Sequence, residues 1–156
     1  MELETKKIIN LHKIDIRLQE IEEEKGDLPE IINDQKEEIV KLNKEIDESD
    51  SKIKNLEKDK SNHNSNLSDF ETKLEKYNRQ MDSVRNNKEY DALLIEIDHL
   101  KKENDELATK IIDIDEIIEG SNQFINECNE KLGALNEKLG DNELELKEKN
   151  IEFSVE

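Results

Sequence analysis

MDSVRNNKEYDALLIEID, residues 81–98, stands near the middle of a chain otherwise dominated by Glu, Lys, Asn and Ile. It is either a defect in one long rod or the place where the chain turns back, and the patterns on its two sides decide which. Stepping from Leu11 by alternate threes and fours reaches Ile14, Leu18, Ile21, Lys25 and Leu28, and continues in phase to Tyr77, Met81 and Val84. Seventeen of those twenty-two positions are apolar. A second run starts at Leu93 and passes through Ile97, Leu100, Asn104 and Leu107 to Asn142 and Leu146. Continuing the first run past Val84 lands on Lys88 and Asp91, so the seam changes phase inside the quoted stretch.

A repeat of 3.5 residues held this long marks helices that supercoil left-handedly, with each seam side chain entering a hole on a facing helix. The composition agrees. With 42% charged, 32% hydrophobic and 3% aromatic residues and no Trp, the 156 residues lack the bulky interior of a compact α/β or all-β domain. A disordered acidic chain would be equally poor in apolar residues but would not order them at threes and fours. The positions between the seams are Glu, Asp and Lys, a solvated face with scattered i,i+4 pairs.

If the chain folds back, facing positions must have numbers with a constant total, and threes match threes when that total is 174. The expected layers are Met81 with Leu93, Tyr77 with Ile97, Leu74 with Leu100, Phe70 with Asn104, and so on to Leu42 with Leu132 and Leu28 with Leu146. Totals of 167 or 181, one heptad away, pair as regularly. Half of 174 centres the turn on Asn87. Asn tolerates the left-handed conformation that ends a helix, and Asn86-Asn87-Lys88-Glu89 offers an Asn N-cap with an acid three residues on. The expected fold is therefore all-α: a long antiparallel coiled-coil helical hairpin with its turn near Asn86-Asn87. Helix 1 spans about 3–85, helix 2 spans about 88–152, and residues 1–156 form a single coiled-coil domain.

Two weak points interrupt the pattern. Gly26, Asp27 and Pro29 combine a helix stop, a cap and a proline suited to a first turn, so a kink belongs at 26–29. KSNHNSNLSD, residues 60–69, has low helix propensity and is an alternative site for the turn, although the seam phase runs through it from Leu56 to Leu67 and Phe70. Polar seam residues Lys25, Gln35, Ser49, Lys60 and His63 fall opposite Lys149, Leu139, Ile125, Ile114 and Ile111, where isolated polar groups fix register. At the ends, Ile21 pairs with Phe153 and Leu18 with Glu156, which leaves Ile8, Leu11 and Ile14 without partners. The hairpin thus reads as cut short, with the chain continuing past Glu156; self-association, a homodimer included, is the other way to cover that stripe.

QMDSVRNNKEYDALLIEIDHLKKE, residues 80–103, resembles the midpoint of a bacterial family of helical-hairpin proteins that carry a C-terminal C4-type zinc ribbon, and LPEI at 28–31 matches that family's early Leu-Pro. The matching positions are Val84 to Tyr90 and Leu93. The resemblance implies a non-enzymatic adaptor or chaperone arm, since one member chaperones the sigma factor of flagellar genes and others are described as nucleic-acid-binding. It implies a protein partner, a sigma factor or another transcription-related protein. The zinc ribbon is missing from this chain: two Cys-x-x-Cys pairs are needed and only Cys128 is present. Zinc is expected only in such a ribbon, and no cofactor is expected here.

The residues themselves point away from catalysis. Cys128 sits at a seam position opposite Ile46, as a small buried hydrophobe. His12, His63 and His99 are too scattered for a metal cluster, IDESDSK lacks the central Gly of a calcium loop, and there is no phosphate-cradling loop or nucleophile elbow. A net charge of −18 repels phosphate, so this acidic portion is not expected to bind nucleic acid directly. The longest apolar run is Ala92-Leu93-Leu94-Ile95, far short of the ~20 residues of a membrane span. One Cys and no secretion signal fit a reducing cytoplasm.

What remains is presentation. Helices of about 60 residues at about 1.5 Å rise per residue make an arm on the order of 90 Å long. Its tip, Arg85, Asn86, Asn87, Lys88, Glu89 and Tyr90, is the candidate partner-binding site. The alternatives are a purely structural rod, formed as a parallel dimer with helices running through 81–98, and a nucleic-acid-binding protein that acts through the missing ribbon.

Overall fold

The computed structural model describes the backbone of residues 1–155 and the side chains of residues 1–152. Three helices account for nearly all of it: α1, Glu2–Lys25; α2, Leu28–Met81; and α3, Asn87–Val155. No strand occurs among the described residues. The fold is all-α. The expected layers Ile21 with Phe153 and Leu18 with Glu156 lie outside the described residues.

The break between α1 and α2 is the one anticipated at Gly26 to Pro29. Gly26 takes φ +44° and donates its N–H to the Glu22 carbonyl at 3.0 Å, closing α1. A side chain is disfavoured in that conformation, and a Cβ there would stand 3.3 Å from the Glu23 carbonyl oxygen. Helix α2 restarts with Ile31 donating to the Asp27 carbonyl at 2.8 Å. Pro29 lies in its first turn, where an N–H has no acceptor within the helix.

Helix α2 then runs without interruption through residues 60–69, so the Ser- and Asn-rich segment is not a turn. His63, Leu67 and Phe70 are partly buried there, and the packing of an amphipathic face outweighs the few tenths of a kcal/mol per residue by which Ser and Asn disfavour helix.

Two expectations at the second connection need correction. Helix α2 ends at Met81 rather than near 85, because the hydrogen-bond ladder tightens. Asp82 donates to the Arg79 carbonyl, Ser83 to that of Gln80 and Val84 to that of Met81, at 3.0–3.4 Å, all spanning three residues instead of four. Nor is Asn87 a left-handed pivot: it is the first residue of α3, and no described residue other than glycine has positive φ. The non-helical residues are 82–86.

Burial follows the heptad count closely. Every seam position from Leu18 to Val84 and from Leu93 to Lys149 is buried or partly buried, and the residues between them are exposed with few exceptions. The buried apolar side chains include Ile21, Leu28, Ile32, Leu42, Ile53, Ile97, Leu100, Ile114, Cys128 and Leu132, all at seam positions.

The chain divides into two compact units. One comprises Met1–Ile46 with Glu127–Glu156, the other Asp47–Asn126. In the first, Leu42, Cys128 and Leu132 form a buried cluster with Ile39, Ile46 and Leu135 packed against it, so Cys128 is inside the seam with Ile46 as its neighbour. In the same unit Glu24 meets Lys149 at 2.6 Å, and the Asn142 amide donates to the Gln35 side-chain oxygen at 3.1 Å. In the second unit Lys60 meets Asp115 at 2.6 Å.

Candidate functional site

The candidate residues gather where α2 gives way to α3, and Asn86 organises them. Its side-chain oxygen accepts the Glu89 N–H at 2.8 Å and its carbonyl accepts the Tyr90 N–H at 3.2 Å, so one residue satisfies two donors at the start of α3. This is the cap expected from the spacing Asn86 to Glu89. Glu89 also places a carboxylate in the first turn of α3, where the helix dipole favours negative charge.

Arg85, Asn86, Asn87, Lys88, Glu89 and Tyr90 are all exposed. Arg85 and Asn86 belong to the connection, whereas Asn87 to Tyr90 form the opening turn of α3. Tyr90, 45% exposed, is the one large aromatic surface in the group. Met81 and Val84 are partly buried and anchor the connection from below.

An open recess of about 430 Å³ adjoins these residues along the last turns of α2, lined by Thr72, Glu75, Lys76, Arg79, Gln80 and Ser83. Sequence reasoning missed it. Lys76 and Arg79 stand three apart on the outer side of a helix, and such charges are what any solvated helix carries. With Arg85 and Lys88 they balance Glu75, Asp82, Glu89 and Asp91, so the neighbourhood of the connection is close to neutral within an acidic chain.

Two of the polar seam residues expected to be isolated, Gln35 and Lys60, find polar partners. Gln35 bonds to Asn142 rather than facing Leu139 alone, and Lys60 reaches Asp115, the residue after Ile114. Lys149 binds Glu24, the neighbour of Lys25. That hydrogen bond holds the Glu24 carboxyl below the usual carboxylate range and raises Lys149 above the usual lysine range. Arg17 joins the same cluster through Glu20 at 3.4 Å, Glu24 at 4.0 Å and Glu152. Asn104 differs: its side-chain oxygen is buried with no hydrogen-bond partner.

Among the described residues, no three His, Cys, Asp or Glu side chains converge as metal ligands. His99 instead contacts Glu103, one helical turn away, at 2.8 Å. No described helix is long and apolar enough to cross a membrane. No family model, curated protein or solved structure matches the chain.

Proposed function

We propose that the chain is an antiparallel coiled-coil hairpin that works without chemistry of its own, as an adaptor or chaperone arm. On this reading it docks a protein on the connection between α2 and α3, through Arg85 to Tyr90 and the adjoining recess. The observation that carries the proposal is the descending order of partners: Glu24 with Lys149, Gln35 with Asn142, Leu42 with Leu132 and Lys60 with Asp115. Rising numbers on one side meet falling numbers on the other, as in two helices joined by a short turn. The resemblance of residues 80–103 supports placing the chain with the zinc-ribbon hairpin proteins, acting in the cytoplasm on a sigma factor or another transcription-related protein.

Two experiments test this. In a Cys128→Ser background, Leu67→Cys with Leu107→Cys is expected to form a disulfide within one chain; cross-linking of position 67 to its copy in a second chain would instead establish the parallel rod. For the partner, the purified flagellar-gene sigma factor is titrated against the chain. Tyr90→Ala with Arg85→Glu is expected to weaken binding at least ~10-fold, because exposed aromatic and Arg anchors dominate protein interfaces, while the circular dichroism spectrum stays unchanged. Equal affinity for the variant and the parent would refute the assignment of the tip.

A further inference from the structure

Each four-residue step of a seam has a first and a last residue between its ends, and these lie on opposite flanks of the helix. Contacts in the first unit show which flanks face each other. Lys36 and Glu143, both first, meet at 3.4 Å, and Arg17 and Glu152, both last, also meet. A recess of about 290 Å³ in that unit is lined in part by Glu38, Lys131 and Lys138, again all last residues.

The corresponding flank of the second unit carries Ile117 and Phe124 of α3, both last residues one heptad apart, 44% and 41% exposed. Gly120 stands between them, also exposed, and a Cβ there would meet nothing within 4 Å. On α2 the last residue Lys52 borders an open recess of about 520 Å³, with Asp47, Glu48 and Leu56 in its lining. In the antiparallel hairpin proposed above, facing numbers near 174 set residues 50–57 level with 117–124, so the recess and the apolar pair lie side by side.

We infer that this flank is a docking groove for a basic amphipathic helix of a partner protein. Ile117 and Phe124 meet apolar residues one heptad apart on that helix, and Gly120 lets it approach closely. The inference rests on the antiparallel hairpin and not on what binds at residues 85–90.

Charge names the occupant. From Ile111 to Glu130 α3 has no Lys or Arg, and Asp113, Asp115, Glu116 and Glu119 lead up to Phe124. From Asp47 to Asp59 on α2, five acids outnumber three lysines. Such a surface attracts cationic side chains and repels nucleic acid and anionic lipid. It also repels the same surface of a second copy, and α1 of a second copy is no better suited, since Glu2–Lys25 carries seven acids against five lysines and arginines. Shape points to a helix, because apolar side chains at heptad spacing with a glycine between them accept one laid along α3.

The probe is a synthetic helix of roughly 18 residues with Leu at threes and fours and Lys on its other faces, titrated against the whole chain by fluorescence anisotropy. A micromolar dissociation constant is expected, weakening as salt rises from about 50 to about 300 mM. Ile117→Ala with Phe124→Ala, and separately Gly120→Leu, should each weaken binding by at least ~10-fold, as should scrambling the peptide at fixed composition. Ile112→Ala, in the same acidic stretch but on the other side of α3 and 59% exposed, should leave it unchanged. Because Ile117, Gly120 and Phe124 are exposed, the circular dichroism of each variant should match that of the parent. Equal affinity for the scrambled peptide or for Gly120→Leu would overturn the proposal. So would tighter binding of a peptide of residues 2–19 of this chain, which would make the occupant a second copy. If Leu67→Cys with Leu107→Cys closes within one Cys128→Ser chain and the probe still fails to bind, the groove is refuted and the hairpin stands; if that disulfide does not close, the hairpin itself falls.

Discussion

Replacing Leu42 by Ala probes the centre of the Met1–Ile46 and Glu127–Glu156 unit. Leu42 is 5% exposed and packs with Cys128, 2% exposed, and Leu132, 8% exposed. The substitution removes three buried carbons, about 2.4 kcal/mol at about 0.8 kcal/mol each. A cavity adds at most ~1 kcal/mol, because the partly exposed neighbours Ile39, Ile46 and Leu135 can close around the gap. A loss of about 2.5–3 kcal/mol is therefore expected in urea unfolding followed by circular dichroism, against less than about 0.5 kcal/mol for Val40→Ala, two residues away and 68% exposed. The pairing is tested by the double mutant. Leu132→Ala costs a similar amount alone, and because the two side chains share one contact, the double variant should fall short of additivity by about 0.5–1.5 kcal/mol. A cost below about 1 kcal/mol for Leu42→Ala, or strict additivity with Leu132 together with coupling to Ile125 or Leu139, would refute the packing and point to a register one heptad away.

Further outcomes follow from the polar contacts. Glu24 has a lowered pKa, so its contribution is fully present at neutral pH; the stability gap between the parent and Glu24→Gln should begin to shrink as pH falls below about 4.3, where an unpaired Glu titrates, and vanish only below the lowered value. Lys149 has a raised pKa, so the gap between the parent and Lys149→Met should remain until pH exceeds the ordinary lysine range and then close, both being read as thermal midpoints. Asn86→Ala should cost about 1 kcal/mol through the lost cap, whereas Asn87→Ala, at a helical position without positive φ, should be neutral or slightly stabilising in urea unfolding. Gln35→Leu with Asn142→Leu should raise the urea midpoint while Leu42→Cys still cross-links with Leu132→Cys rather than with Ile125→Cys or Leu139→Cys, because Lys60 with Asp115 and Glu24 with Lys149 keep the register.

The seam was legible because a heptad is a matter of counting: from Leu18 onward each position reached by threes and fours is withdrawn from water. Gly26 and Asn86 were legible because each meets a local backbone demand that few residues meet. The end of α2 was not, since three-residue hydrogen bonds carry the chain from Met81 to Val84 with the spacing of the seam unchanged. Nor were the polar partners of Gln35 and Lys60. A layer diagram pairs α-carbons, whereas long side chains reach along the seam to the next residue or layer. Exposure of Arg85 to Tyr90 followed from reading them as a turn, but the recess beside them depends on how Lys76, Arg79 and Ser83 stand relative to one another, which composition does not encode.

A strict heptad repeat leaves one ambiguity that only its imperfections resolve. Facing numbers totalling 167, 174 or 181 build equally regular seams, yet Leu42 packs with Leu132, which corresponds to 174. Aliphatic residues cannot make that choice, because each shift sets Ile and Leu against other Ile and Leu. The polar contacts make it together. At a total of 167, Asn142 stands opposite residue 25, ten residues or about 15 Å from Gln35, and a buried side-chain amide left unpaired costs about 1–3 kcal/mol. At 181 the two amides stay within reach, so this pair alone does not separate 174 from 181. Lys60 with Asp115 and Glu24 with Lys149 do, since either shift displaces both pairs by six to eight residues, beyond the span of a lysine. One of these pairs lies in each compact unit, so each half of the proposed hairpin carries its own register mark. The residues that look like flaws in the repeat are what give each unit of the proposed hairpin a single alignment.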